Sequence, residues 1–446
     1  MKFLVIGGDA AGMSAASRAK RNKPDLEVTV LEKTDDVSYS ACGMPYNIAD
    51  ADRPMDDLVV RQAHVFKTKQ KINVLTGHCA ESVNPENRTV SGVSADGTAF
   101  QFGYDKLLIA TGGSPIIPDL PGFDLPGVMA LKSLEDGRKI KAYLKAHQVK
   151  KAVIIGMGYI GLEMCESLRA RSVETAMVKP GPVFLPWMAP ELSDVIRQEL
   201  ESNHVKLHTG YQIERIKSEE GRMKVICADI SLDADIVIAA IGIKPNSELA
   251  ADAGIKLSVN NAIATDCMLK TSDENIYAAG DCADAYHVVT DEKTWIPLAL
   301  RANRAGWGVA DNICGKVVEL SGIAGTAVFK VFDLEVARTG LTLKEALKSG
   351  FDPAAVIIKT RSRAHAHPGS SPIRILMIGD KKSGRLLGVQ MVGWEGVAHR
   401  INAAAVALQN RMTVEAFSQT DLAYAPPFGP VWDPLLTTAN QLLKKI

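Results

Sequence analysis

Residues 37–46, Val-Ser-Tyr-Ser-Ala-Cys-Gly-Met-Pro-Tyr, hold one cysteine in a turn of small residues that leads into a helix start at Met44-Pro45. A thiol in that position meets unpaired backbone N–H groups and the positive end of a helix dipole. Cys42 is therefore expected to have a lowered pKa and an enlarged thiolate fraction. Gly43 leaves room for another group to come close. Ser38 stands four residues before Cys42, where a Cys-x4-Cys pair would have its other sulfur, so chemistry here uses a single sulfur. An isolated cysteine in a reducing compartment is more often a buried residue without function. Two nucleotide-binding signatures, one on each side of Cys42 in the sequence, argue against that bland reading.

The first signature begins with the apolar run 2–6, which ends in Gly7-Gly8-Asp9-Ala10-Ala11-Gly12; a helical pattern follows to Arg21, then a second apolar run, 27–31, closed by Glu32. Strand, glycine turn, helix, strand, acid is the order of a dinucleotide fold. The turn and helix N-terminus take a pyrophosphate, and the acid takes ribose hydroxyls. Asp9 replaces the middle glycine, which weakens the motif, while Glu32 and the place at the start of the chain support it. The second copy runs from 151 into Gly156-Met157-Gly158-Tyr159-Ile160-Gly161 with all three glycines present. A helix over 162–170 and a strand over 174–178 follow. That strand ends in Lys179, a cation compatible with a 2′-phosphate; a solvated lysine is an equal alternative. Two further apolar strands end in Ala110-Thr111-Gly112 and Ile241-Gly242 and read as the closing crossovers of the two nucleotide domains. In Ala279-Gly280-Asp281 a strand meets a carboxylate able to accept hydrogen bonds from a sugar-alcohol chain, although a Gly-Asp pair is more often only a turn.

From about residue 325 the texture changes. Runs at 327–332, 355–359, 373–378 and 386–392 read as antiparallel strands, followed by a helix over 397–410 and a proline-rich stretch over 424–430. The fold class expected is thus α/β, with two Rossmann-like dinucleotide-binding domains and a C-terminal α+β dimerisation domain. The expected partition is 1–112 with 245–322 for the first, 113–244 for the second and 323–446 for the third. Charges balance at 51 against 51, which leaves no net field for nucleic acid, and no uninterrupted apolar run is long enough for a membrane span. Met1 runs straight into a strand and glycine turn rather than a leader. The seven cysteines lack paired spacing, which argues for reduced thiols in a cytoplasm and against a disulfide framework or a zinc site.

Together the two signatures, the Ala-Thr-Gly and Ala-Gly-Asp turns and the C-terminal domain resemble the FAD-dependent pyridine nucleotide-disulfide oxidoreductases over nearly the whole chain. The resemblance implies FAD at the first signature, NADH or NADPH at the second, and a homodimer built through the third domain. Ser38-x3-Cys42 resembles the single-cysteine branch: coenzyme A-disulfide reductases, persulfide reductases, NADH oxidases and NADH peroxidases. Ala10 stands where the oxidases and peroxidases place a histidine. Residues 7–16, Cys42-Gly43-Met44-Pro45-Tyr46 and Asp421-Leu422-Ala423-Tyr424-Ala425-Pro426-Pro427 look more like the coenzyme A-disulfide and persulfide reductases. By that likeness Tyr424 reaches the partner subunit's cysteine, and His367 replaces a second tyrosine. Cofactor contacts are expected at Gly7, Gly8, Ala11, Gly12, Glu32, Ser38, Thr111, Gly112 and Asp281, the last toward the ribityl chain. Others are expected at Gly156, Gly158, Tyr159, Ile160, Gly161, Lys179 and Gly242. Glu163 is placed near the nicotinamide by the resemblance, or is simply a helix-start carboxylate. Arg18, Arg21 and Arg61 are expected to hold coenzyme A phosphates, or to be a solvated basic face. The expected activity is NAD(P)H-dependent reduction of a disulfide or persulfide, coenzyme A disulfide or persulfide first, through Cys42. The alternatives are an NADH oxidase or peroxidase cycling through a sulfenic acid, and a flavoprotein electron-transfer subunit.

Overall fold

The computed structural model describes residues 1–219 and 221–446. Each glycine signature opens a five-stranded sheet. In the first the order is Ile276–Ala278, Lys106–Ile109, Lys2–Ile6, Glu27–Leu31, Asn73–Leu75. In the second it is Lys206–Thr209, Glu174–Lys179, Lys151–Ile155, Ile236–Ala239, Val128–Met129. Every pairing in both is parallel. Parallel sheets are covered on both faces, so their central strands are apolar without alternation. Phe3, Leu4, Val5 and Ile6 are all buried, as are Ala152, Val153, Ile154 and Ile155. The helix Ala10–Asn22 buries Ala11, Ala15, Ala16 and Ala19 in one cluster with Ala302, Ala305 and Val309 of the helix Ala299–Ile313. A Cβ at Gly306 would stand 2.2 Å from the Ala11 carbonyl oxygen, so the two helices touch backbone to backbone only because that position is glycine.

The chain leaves the first sheet after Ile109, crosses through Gly113–Pro115, builds the second sheet, and comes back through Ile243–Pro245. The two crossing segments pair antiparallel, Ile243 opposite Pro115. The first sheet is completed only afterwards, when Ile276 pairs with Leu107. Two three-stranded antiparallel sheets add to the expected architecture: His78–Asn84, Thr89–Ser94, Ala99–Gly103, and Ile213–Glu219, Arg222–Cys227, Ser231–Ala234.

The C-terminal part is a five-stranded antiparallel sheet in the order Ala327–Val331, Leu334–Gly340, Leu386–Gly393, Pro372–Asp380, Pro353–Arg361. The helix Val397–Gln409 covers it through Val397, Ile401, Ala404, Ala407 and Leu408, which recur at helical spacing. Leu334–Gly340 escapes a pattern search because Glu335 and Arg338 interrupt its apolar residues. Glu335 anchors the covering helix to the sheet. Its carboxylate accepts the backbone N–H groups of Val397 and Ala398 at 2.7 and 2.9 Å, at the positive end of that helix. Among the described residues no helix is long and apolar enough to cross a membrane, and no cluster of His, Cys, Asp or Glu is arranged to hold a metal.

Candidate active site

Both glycine turns are built by close approach. A Cβ on Gly7, whose φ is +108°, would stand 2.1 Å from the Ala110 carbonyl oxygen, and one on Gly12 would stand 1.9 Å from the Gly7 oxygen. The second turn repeats the device: Gly156 has φ +112° and its Cβ would stand 2.2 Å from the Ala240 oxygen. Gly161 is less crowded, at 2.9 Å from the Gly156 oxygen. Gly158 differs in kind, because no heavy atom among the described residues lies within 4 Å of where its Cβ would be. Each turn opens onto the N-terminus of a helix, Ala10–Asn22 or Tyr159–Ala170, with no acidic residue in its first turn. Glu32 closes the first turn: its carboxylate accepts Gly8 N–H at 2.7 Å and both the N–H and hydroxyl of Thr34 at 2.8 Å.

One cavity of about 2330 Å³ reaches both turns. Asp9, Ala10, Ser38, Cys42 and Asp281 line it on the side of the first sheet. Gly156, Gly158, Tyr159, Ile160, Glu163, Lys179 and Gly242 line it on the side of the second. Thr111 and Gly112 are not among the described residues that line the cavity; the Thr111 hydroxyl donates to the Asn246 carbonyl at 2.5 Å, and Gly112 has φ +70°. Ala11 is buried behind the wall, its Cβ facing Gly280. Asp281 receives Lys132 Nζ at 3.0 Å, an ion pair in the cavity wall. Tyr159 packs its ring against Phe329 and Trp187, with centroids at 4.8 and 5.3 Å. The glycine cradles, the free helix N-termini and the acid beyond the first turn fit one dinucleotide at each turn, FAD and NAD(P)H.

Cys42 lies in the 3-10 turn Ala41–Gly43, which runs into the six-residue helix Met44–Ala49. Its thiol is open to the cavity. The expectation of a lowered pKa is corrected here. Burial pushes the Cys42 thiol up, the Glu163 carboxylate pushes it further, and Lys132 only partly opposes them. The group that approaches Gly43 is Leu58, whose Cδ2 would stand 2.8 Å from a Cβ at that position.

The basic residues separate. Arg21 and Arg61 line the cavity, with Arg61 over the Phe66 ring at 5.2 Å. Arg18 is not among the described residues that line the cavity and is paired elsewhere. Its Nε and Nη2 donate to the two Asp311 carboxylate oxygens at 2.8 and 2.7 Å, and its guanidinium stacks over Trp307. Lys179 lines the cavity but donates its Nζ to the Val183 carbonyl at 2.8 Å. Within one chain, neither Tyr424 nor His367 is among the described residues that line the cavity. Tyr424 is about half exposed beside other exposed apolar residues of its loop, Phe428, Val431 and Trp432. His367 Nδ1 sits 3.0 Å from the Pro368 carbonyl oxygen.

Three residues of the site carry no evident role in the sequence. Asp9 is a buried carboxyl whose pKa is pushed up to about 6 by desolvation; its Oδ1 accepts Tyr39 N–H at 3.3 Å. Lys132 carries no sequence signal at all. Tyr46 donates its hydroxyl to Glu163 Oε1 at 3.0 Å, and its spacing of four from Cys42 is the available clue.

Residues 1–306 match the family model described as "Pyridine nucleotide-disulphide oxidoreductase", and residues 326–434 match the dimerisation domain of the same family. The chain belongs to the pyridine nucleotide-disulphide oxidoreductases. As a member of this family it is an oxidoreductase with FAD and NAD(P)H as cofactors. A similar member is the NAD(P)H coenzyme A polysulfide/persulfide reductase of Pyrococcus horikoshii, 40% identical over 99% of this chain and 98% of the relative. An NADH oxidase of Methanocaldococcus jannaschii is 35% identical over 100% of this chain and 99% of the relative. Among solved structures, a NAD-dependent persulfide reductase from A. fulgidus superposes with a TM-score of 0.96 at 37% identity, over 100% of this chain and 83% of that one.

Proposed function

We propose that this oxidoreductase uses NAD(P)H to reduce a coenzyme A disulfide or persulfide through Cys42, and that it works as a cytoplasmic homodimer with shared active sites. The observation that carries the reading is the continuous cavity in which one sulfur, Cys42, stands between two glycine turns each shaped for a dinucleotide. Segments 1–112 and 245–322 would hold FAD, 113–244 the nicotinamide dinucleotide, and 323–446 the dimer contact. FAD, when bound, supplies a two-electron relay between nicotinamide and sulfur. Gly7 and Gly12 let the first turn close on itself at the helix N-terminus that would meet the pyrophosphate, with Gly8 held by Glu32; Glu32 would take ribose hydroxyls and Asp281 the ribityl chain. In the second turn Gly156 and Gly161 have the same closing role and Gly158 leaves open space for the second pyrophosphate, with Tyr159, Ile160 and Glu163 flanking the nicotinamide.

The sulfur chemistry belongs to the chain. Cys42, as thiolate, attacks one sulfur of the coenzyme A disulfide; a Cys42–coenzyme A disulfide forms and coenzyme A thiolate departs. Tyr424 of the partner subunit, with His367, gives that thiolate its proton. Two-electron reduction of the new S–S bond frees the second coenzyme A and restores the Cys42 thiolate. A persulfide substrate follows the same course with hydrosulfide in place of one thiol. Arg21 and Arg61, which line the cavity, would meet the phosphates of the substrate. Ala10 leaves the cysteine without the histidine that marks the oxidases and peroxidases, which favours a sulfur acceptor over oxygen.

The test is steady-state turnover with coenzyme A disulfide, coenzyme A persulfide, polysulfide and oxygen, for wild type and Cys42→Ser. Faster turnover with a coenzyme A sulfur substrate than with oxygen, lost in a Cys42→Ser protein that still holds FAD, is expected. Undiminished disulfide reduction by Cys42→Ser would overturn the mechanism, and oxygen as the best acceptor would overturn the substrate.

A further inference from the structure

The segment between the strand Glu174–Lys179 and the helix Pro190–Ser202 forms part of the cavity wall at the second nucleotide turn, where Lys179, Pro180, Pro186 and Trp187 all line it. Within that segment Leu185 is buried with φ +47°, a left-handed conformation that a leucine side chain disfavours. Such a conformation persists only where neighbouring contacts over-determine it. Part of the hold is local: Lys179 Nζ donates to the Val183 carbonyl at 2.8 Å, and Ser193 Oγ to the Phe184 carbonyl at 2.9 Å.

The rest comes from the C-terminal sheet. Gln390, in the strand Leu386–Gly393 and 201 residues after Ala189, is 3% exposed. Its Oε1 accepts Ala189 N–H at 2.8 Å and its Nε2 donates to the Trp187 carbonyl at 2.9 Å. A primary amide carries donor and acceptor side by side, so this one side chain satisfies both backbone groups. In the neighbouring strand Arg374 Nη1 donates to the Glu191 carbonyl at 3.0 Å. Buried backbone groups need partners, and these bonds therefore fix where residues 187–191 lie.

The fixed segment reaches the nucleotide turn through one ring. Trp187 packs against Tyr159, the first residue of the helix Tyr159–Ala170, and Phe329 of the C-terminal sheet stands 6.1 Å from Trp187 and 4.8 Å from Tyr159 between ring centroids. Gln390 itself is not among the described residues that line the cavity.

We propose that Gln390 is a positioning residue through which the C-terminal sheet holds the 183–189 wall of the NAD(P)H site and so sets the affinity for the nicotinamide dinucleotide. The inference rests on the second turn as the seat of NAD(P)H and adds what keeps that seat in shape. Without the two amide bonds, Leu185 is free to leave the left-handed region and Trp187 to shift away from Tyr159. A wall that must be ordered as the ligand arrives costs affinity. The flavin side of the cavity is untouched, so hydride transfer from bound NADH keeps its rate.

The test separates binding from chemistry. Flavin reduction by NADH is followed by stopped flow in FAD-loaded wild type, Gln390→Met and Gln390→Asn across NADH concentrations. Hydrogen exchange of peptides spanning 183–192 is measured on the same oxidised proteins with and without NAD⁺. Gln390→Met keeps the length of the side chain and removes both bonds, whereas Gln390→Asn keeps the amide but reaches at most one partner. Gln390→Met is expected to quicken exchange in 183–192 and to raise the NADH half-saturation about tenfold, with the limiting rate of flavin reduction within twofold of wild type. Gln390→Asn is expected to move both in the same direction by less, and it decides the question should Gln390→Met fail to fold. A half-saturation within twofold of wild type overturns the inference, as does unchanged exchange, or a loss that falls on the limiting rate instead. If NAD⁺ fails to slow exchange of 183–192 in wild type, the seat of NAD(P)H at the second turn falls with it; an unchanged half-saturation in a protein whose 183–192 segment NAD⁺ still protects overturns the role of Gln390 alone.

Discussion

Gly156 and Gly158 belong to one motif yet answer to different constraints, and paired substitutions separate them. Gly156 has φ +112°, and its Cβ would stand 2.2 Å from the Ala240 oxygen. Gly156→Ala therefore combines a strained backbone with an overlap of roughly 1 Å against a main-chain atom that closes the second sheet; a cost of about 3 kcal/mol or more follows. That corresponds to a loss of roughly 3 °C in thermal midpoint if the chain unfolds as one unit. Gly158 has φ −87° and ψ −173°, a conformation any residue adopts, and its Cβ would meet no atom. Gly158→Val costs only about 1 kcal/mol through the poorer helix N-cap. What valine does obstruct is the approach of a pyrophosphate to the N-terminus of the helix Tyr159–Ala170. Loss of one charge-assisted hydrogen bond there is worth about 1.5 to 3 kcal/mol, hence about 10- to 150-fold in kcat/KM for NAD(P)H. Thermal unfolding and steady-state kinetics of the FAD-loaded variants check both arms. If Gly158→Val keeps its nicotinamide kinetics within twofold, the turn is not the seat of NAD(P)H. If it melts with Gly156→Ala, the space beside it is not free.

Lys179→Glu replaces the cation that ends the strand Glu174–Lys179 with the acid that NAD-specific folds carry, and should shift kcat/KM toward NADH by roughly tenfold; an unchanged ratio would leave Lys179 as a prop for the Val183 carbonyl. Asp9, held up at about 6 by burial, is protonated in the folded chain while the unfolded chain has already ionised, so it lowers stability as pH rises from about 4 to 6. Asp9→Asn should accordingly raise the thermal midpoint of the flavin-free protein at pH 8, by the equivalent of about 2 to 3 kcal/mol, and not at pH 4; an equal difference at both would assign the effect to packing. Mixing Cys42→Ser with Tyr424→Phe protomers under exchange should restore activity toward about a quarter of wild type, since statistical pairing makes about half the dimers mixed, each with one intact site of two; heterodimers without activity would refute the shared site.

The parallel sheets were legible because strands buried on both faces need unbroken apolar runs, and 2–6 and 151–155 supply them immediately before glycine turns. The glycines at 7, 12 and 156 could be read for the same reason: each sits where the main chain passes within contact of itself, which no other residue permits. The antiparallel three-stranded sheets escaped because their strands are half exposed and carry many polar residues, so their alternation resembles loop composition. Leu334–Gly340 escaped because a charge within it serves a helix distant in sequence. Arg18 shows the limit at the site: its spacing from Arg21 is that of one helix face, and only the fold reveals that Asp311, 293 residues later, has already taken its guanidinium.

Cys42 was singled out by local sequence, whereas the sign of its electrostatics was not, and magnitudes explain why. A helix terminus favours an anion by about 0.3 to 1 kcal/mol near a surface, and the helix behind Cys42 has only six residues. Against it stand burial and a full negative charge on Glu163, brought in from a helix that begins more than a hundred residues later. A unit charge in a partly dry cavity outweighs the fractional charge of a short dipole. The charges around this sulfur thus come from both nucleotide-binding segments, Glu163 and Lys132 among them. No motif confined to residues 37–46 contains those groups.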